Sequence, residues 1–98
     1  MLKKILKALG FSKKTVRADK PAGVVTHYYG GLEVAIVKFN KPVNVGQKIS
    51  IIGATTDFSQ EVKSMQYDHK DIPTAKSGQE VGIKVKDKVR EGDDVYLD

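Results

Sequence analysis

Apolar and polar residues alternate along most of the chain after residue 20, in short runs separated by Gly, Pro, Asn and Asp. Alternation with a period of two is typical of strands with one buried face, and the turn residues mark where each strand ends. No helical spacing of apolar residues occurs after residue 11. We therefore predict strands at residues 23–29, 32–39, 48–52, 60–67, 80–86 and 94–97, with a short edge strand at 55–58 and a loop at 68–73.

These segments predict an all-β fold, a small antiparallel barrel of six or seven strands formed by residues 21–98. Gly46, Gly78 and Gly92 each stand just before a predicted strand, where a turn requires a positive φ angle or a close backbone approach. A domain of this size buries only about 60–65% of its unfolded surface. The core is therefore modest, and a large cofactor site is not expected.

The beginning of the chain follows a different pattern. Its apolar residues recur at the spacing of one helical face, which predicts a short amphipathic helix, and a polar, basic linker follows it up to residue 20. Three coverings for the helix stay open: an end of the barrel, a second copy or another protein, and an anionic surface such as a membrane or RNA. The apolar residues of the helix are Leu2, Ile5, Leu6 and Leu9.

The net charge of +5 is concentrated in this arm. Residues 1–20 hold seven basic residues and one acidic residue, whereas residues 21–98 hold ten basic and eleven acidic residues. A basic arm on a nearly neutral body predicts contacts with phosphate groups, and hence RNA or a ribonucleoprotein as the partner. The basic residues assigned to this contact are Lys3, Lys4, Lys7, Lys13, Lys14 and Arg17.

Composition and spacing argue against several classes of function. The chain has no Cys, which excludes disulfides, thiolate metal ligands and Cys nucleophiles and suits a cytoplasmic location. No apolar run approaches the roughly 20 residues of a membrane span. Lys13 stands where a phosphate-binding loop requires glycine, so no nucleotide site is expected. His27 and His69 lack the short spacing of metal ligands and no acid and base pair stands out, so we expect no metal, no cofactor and no enzyme.

Aromatic and basic residues outside the arm form a second candidate contact. His27 and Tyr29 share one face of the first predicted strand, because residues two apart lie on the same side. If residues 60–67 lie beside that strand, Lys63, Tyr67 and His69 extend the row, and the rings can stack on bases. The alternative is that the tyrosines cover the outside of the barrel or close its ends.

Several segments resemble a known domain. The segment at residues 43–53 (VNVGQKISIIG), the opening strand at 23–26 and the groups around Gly78 and Gly92 are similar to parts of the second, β-barrel domain of translational GTPases such as elongation factor Tu, in the same order. The resemblance covers residues 21–98 and implies the same barrel fold. The GTP-binding domain of those factors is absent from this sequence, so no GTPase activity is implied.

Barrels of this kind also occur as an appended domain of peptidase-like proteins implicated in RNA modification, and the chain is similar to that domain too. Both resemblances imply a non-catalytic module that binds RNA, a ribonucleoprotein or a translation component. The alternative function is a protein-interaction or oligomerisation module that docks through the amphipathic helix.

Overall fold

The structure is a computed structural model that describes residues 20–98. The predicted amphipathic helix and nearly all of the basic arm lie outside the described residues, so both stay predictions. Within residues 20–98 every regular element is a strand, and no helix there has the length and apolar character that crossing a membrane requires. The all-β prediction is confirmed for this part of the chain.

Ten strands follow one another along the described residues. They are β1 (Gly23–Tyr29), β2 (Val34–Phe39), β3 (Val43–Asn44), β4 (Lys48–Ile52), β5 (Asp57–Glu61), β6 (Met65–Tyr67), β7 (Lys70–Ile72), β8 (Thr74–Ala75), β9 (Glu80–Lys84) and β10 (Asp94–Leu97).

Eight of these strands form one antiparallel sheet in the order β5-β4-β10-β1-β2-β9-β6-β7, and β3 pairs with β8 in a separate two-stranded sheet. The predicted number of six or seven strands is therefore wrong, and the predicted antiparallel barrel is a curled, eight-stranded half-barrel. Strands β5 and β7 are the two edges of the large sheet and do not pair with each other.

The segment between residues 55 and 73 differs most from the prediction. The edge strand β5 runs through residue 59, where the prediction had a break, and the irregular residues 62–64 separate it from β6. The predicted loop at 68–73 contains β7, because Asp68 and His69 adopt positive φ angles of 54° and 66° and turn the chain into a tight hairpin. Asn-Gly or Asp-Gly would have signalled this turn, whereas Asp-His does not.

The core lies on the concave side of the curled sheet. Val25 pairs with Val37, and Val37 with Val81, so their side chains form a row across three strands. Phe39, Ile49 and other apolar side chains fill the space between this row and the ends of the sheet. The fully buried aliphatic and aromatic residues include Phe39, Ile49, Ile51, Met65, Ile83, Val25, Val37, Val43, Val62, Val81, Val89 and Val95.

Three turns with the same backbone geometry directly precede β4, β9 and β10. They occupy residues 44–47, 76–79 and 90–93, and their third residues are glycines with φ angles of 101°, 90° and 93°. In each turn the backbone N–H of the fourth residue donates to the carbonyl of the first, at 3.1–3.2 Å. The side chain of the fourth residue, Gln47, Gln79 or Asp93, accepts a hydrogen bond from the backbone N–H of the first. Of the two predicted reasons for glycine at these positions, a positive φ angle or a close backbone approach, the first is confirmed, and a residue with a Cβ would be strained at these angles.

Side-chain hydrogen bonds draw the edge strand β5 toward the other side of the sheet. The amide of Gln60 takes the place of a backbone peptide: its Nε2 donates to Lys84 O at 2.8 Å, and its Oε1 accepts from Lys86 N–H at 2.8 Å. Strand β5 is thereby held beside the end of β9, although four strands lie between them in the sheet order. The result is a curled half-barrel whose seam is closed by a side chain.

We expect Gln60→Ala to lower the free energy of unfolding by about 1–2 kcal/mol. The substitution removes two hydrogen bonds and leaves two backbone groups at the seam without these partners. Gln66→Ala is the matched control, since Gln66 Nε2 donates to the exposed Asp71 in the β6–β7 hairpin and to no other group of residues 20–98. This variant should lose at most about 0.5 kcal/mol. Urea unfolding followed by circular dichroism measures both. Equal midpoints for the two variants would show that Gln60 does not close the seam.

Candidate functional site

The predicted aromatic contact includes a pair of rings on the outer face of β1. His27 and Tyr29 have ring centroids 4.4 Å apart at an interplanar angle of 54°, and His27 Nδ1 lies 3.1 Å from Glu91 Oε2. A bulge at Thr26 interrupts the register with β2, and after it His27 lies opposite Ile36 and Tyr29 opposite Val34. The predicted shared face is therefore present, and both rings are exposed.

The other residues of the predicted patch lie elsewhere. Tyr67 is on β6 and His69 is in the β6–β7 turn, and β2 and β9 separate β6 from β1 in the sheet. Lys63 lies in the irregular segment between β5 and β6. The structure therefore brings His27 to Tyr29 and places Lys63, Tyr67 and His69 apart from them, so the condition for one continuous row is not met. Any part that these side chains play in binding stays a prediction.

A feature that the sequence analysis missed lies on the outer face of the central strands. Strand β2 buries Ala35 and Val37 on the inside, yet its outward residues Val34 and Ile36 are also apolar and only partly buried. Across the sheet, Ile36 lies opposite Gly82 of β9, and Gly82 lies opposite Gln66 of β6. The available signal was the uninterrupted apolar run at residues 34–37, since strands covered on both faces are apolar throughout.

Charged groups flank this outer face at both ends. At one end Lys38 lies opposite Glu80, and Glu80 Oε1 accepts a hydrogen bond from Thr26 Oγ1 at 3.0 Å. At the other end Lys84 lies opposite Val34 and lines a groove of about 430 Å³. The charged residues of that groove are Glu33, Glu61, Lys63, Lys84 and Lys86, so it carries one more positive than negative group.

Polar groups buried among the described residues serve the fold. Ser50 Oγ lies 2.7 Å from Ser59 Oγ and donates to the Asp98 carboxylate at 2.7–2.9 Å, which ties the last residue to β4 and β5. Asp93 completes the turn at residues 90–93. Within residues 20–98 no group of three metal-ligating side chains is present, and every buried side-chain nitrogen or oxygen has a hydrogen-bond partner.

The chain is similar in sequence to part of a known protease. No protein-family model matches the chain. A curated relative, an uncharacterised protease of Methanocaldococcus jannaschii, is 46% identical over 76 residues, which make up 76% of this chain and 19% of the protease. This chain thus spans about a fifth of the length of the relative it matches.

Solved structures share the fold. The C-terminal domain of a protein described as a U32 peptidase, from Geobacillus thermoleovorans, superposes with a TM-score of 0.75 at 20% identity, covering 79% of this chain and 90% of that domain. A selenomethionine variant of the same domain gives a TM-score of 0.75, covering 80% of this chain and 99% of the other.

The expected relation to the second domain of elongation factors, and with it the translation-factor-like RNA-binding function, is wrong. The comparisons lead to proteins described as peptidases, in agreement with the second resemblance, to a domain appended to peptidase-like proteins. The physical reason lies in the residues that carried the resemblance: Gly46, Gly78 and Gly92 form the repeated turns, which determine the path of the backbone and not the partner. The chain is thus similar in sequence to part of a protease, and it has the fold of a U32 peptidase C-terminal domain.

Proposed function

We propose that this chain acts as an accessory domain of a U32-type peptidase. It binds the remainder of the protease, which is the part outside the segment that this chain matches, and it contributes no catalytic residue. The observation that carries the proposal is the 46% identity to a segment that makes up only 19% of the M. jannaschii protease. The likeness to a C-terminal domain with a structure of its own supports it, since such a domain folds as a separate unit. We further propose a cytoplasmic location, in keeping with the absence of Cys.

The described surface offers groups that suit binding to a protein. Both histidines are exposed, and the outer face of β2 presents aliphatic side chains beside the tilted pair of His27 and Tyr29 rings. Aromatic and aliphatic side chains at the centre of a surface with charged groups around it are the usual composition of a protein interface.

The test measures whether this protein binds a protease that lacks the matching segment. The M. jannaschii protease is produced without the segment that matches this chain and is titrated with this protein in a calorimeter. We expect a one-to-one complex with a dissociation constant in the micromolar range, about 8 kcal/mol of binding free energy.

The intact M. jannaschii protease is the control, because its own segment occupies the same place. It should bind this protein much more weakly than the shortened protease does. No heat of binding to the shortened protease, or equal binding to both forms, would contradict the proposed function.

A further inference from the structure

The outer face of β2 is apolar where a solvated face would be polar. Antiparallel sheets with one face in water alternate apolar and polar residues, whereas strands covered on both faces do not. Strand β9 follows the first pattern on its outer side, with Glu80 and Lys84 exposed. Strand β2 follows the second, with Val34 and Ile36 outside and Ala35 and Val37 inside. The composition of β2 therefore indicates a partner on its outer side.

Gly82 lies beside this apolar pair in the middle of β9, and nothing in the described fold requires a glycine there. A Cβ at this position would lie 3.4 Å from Val34 Cγ1, 3.6 Å from Ile36 Cδ1 and 3.9 Å from Gln66 O, all ordinary contacts. Its φ angle is outside the left-handed region, unlike that of the turn glycines. A glycine inside a strand weakens it, and one use of such a glycine is to let another molecule approach the backbone closely.

The groups around Gly82 define what fits on it. The His27 and Tyr29 rings, tilted against each other, border the Val34 and Ile36 side chains on the β1 side. At one end Glu80 lies opposite Lys38, whereas Lys84 at the other end lies opposite the uncharged Val34 and has no ion pair with any carboxylate of residues 20–98. A partner that presents a flat apolar side chain flanked by a carboxylate is complementary to this arrangement.

We propose that the outer face of β1, β2 and β9, centred on Gly82, is the surface that docks on the remainder of the protease. The protease lays a flat apolar side chain on the Cα of Gly82 between Ile36 and Gln66, and a neighbouring carboxylate reaches Lys84. This inference rests on the proposed function, because it names the surface of this chain that makes the proposed complex.

Gly82→Ala tests the surface without harming the fold. Its added methyl group has room and removes conformational freedom from the unfolded chain, so we expect Tm to stay the same or rise by up to about 8 °C. Binding to the shortened M. jannaschii protease should weaken about 30-fold, which is the size of effect that substitutions at the centre of a protein interface have. Gly31→Ala is the matched control, since a Cβ at Gly31 meets nothing within 4 Å. Its binding should equal that of the wild type.

Lys84→Glu tests the charge, with Lys88→Glu as the control of equal net charge. Lys88 is exposed and lines a depression with Thr55, Asp57 and Phe58, away from the proposed surface. We expect Lys84→Glu to weaken binding about tenfold. The difference in affinity between this variant and the wild type should disappear at high salt, because the interaction is electrostatic. Lys88→Glu should bind like the wild type.

The outcomes separate this inference from the function on which it rests. If the wild-type protein does not bind the shortened protease, the proposed function fails. If the wild type binds and the Gly82→Ala and Lys84→Glu variants bind equally well, the function stands and this surface is wrong. A wild-type dimer that Gly82→Ala converts to a monomer would identify a second copy as the occupant. A lower Tm for Gly82→Ala would indicate that the chain itself covers the glycine, and either result overturns the inference.

Discussion

The Phe39→Ala variant is expected to lose about 3–5 kcal/mol of the free energy of unfolding, because it removes a fully buried ring and leaves a cavity. Native proteins have only about 5–15 kcal/mol in total, so this variant should be largely unfolded at moderate urea concentrations. Phe39 closes the end of β2: its N–H donates to Gln79 O at 3.2 Å, and its carbonyl accepts from Gly78 N–H at 2.7 Å. A Cβ at residue 23 would lie 2.9 Å from Phe39 Cδ1, so the backbone of Gly23 packs directly on the ring and loses this contact in the variant.

Phe58→Ala is the matched control for this prediction. Phe58 lies on the edge strand β5 and is only partly buried against the core, with Lys86 Nζ 6.0 Å from its ring centroid. Because solvent already reaches this ring, we expect a loss of about 1–2 kcal/mol. Chemical unfolding monitored by circular dichroism gives both values, and equal losses would show that the core is not centred where the structure places it.

The Gly53→Ala variant is expected to lose about 2–4 kcal/mol. A Cβ at Gly53 would collide with the carboxylate of Asp93, so one of the two must move. Asp93 is only 5% exposed, and its Oδ2 accepts a hydrogen bond from Arg90 N–H at 2.9 Å. Moving the carboxylate breaks this bond and strains the packing, and the cost is the sum of both effects.

A double-mutant cycle isolates the collision. Asp93→Ala alone removes the turn hydrogen bond and should cost about 1–2 kcal/mol. Adding Gly53→Ala to that variant should cost at most about 0.5 kcal/mol more, because the carboxylate is gone. The coupling free energy between the two positions is then about 2 kcal/mol. Additive losses would mean that the carboxylate is not the group that requires glycine at residue 53.

The sequence alone determined the local geometry. Strands β1, β4 and β10 begin and end at the predicted residues, because apolar alternation and the turn residues that interrupt it act within a few positions. The positive φ angles of Gly46, Gly78 and Gly92 follow in the same way, since the cost of a Cβ there does not depend on distant contacts. A Gln or Asp directly after each of these glycines completes the turn with its own side chain. The same turns led to the wrong relative, because they specify a backbone path that different proteins share.

Only the tertiary structure decided which strands are neighbours and which distant residues are in contact. The order of the strands separates His27 and Tyr29 from Tyr67 by two strands, and no local pattern contains that information. Closure of the seam depends on Gln60 meeting residues 24 and 26 positions later in the chain. The outer surface around Gly82 likewise arises from pairing with Ile36 and Gln66 on neighbouring strands. Such pairings are set by the summed energies of contacts between distant segments, so the alternation within one strand cannot reveal them.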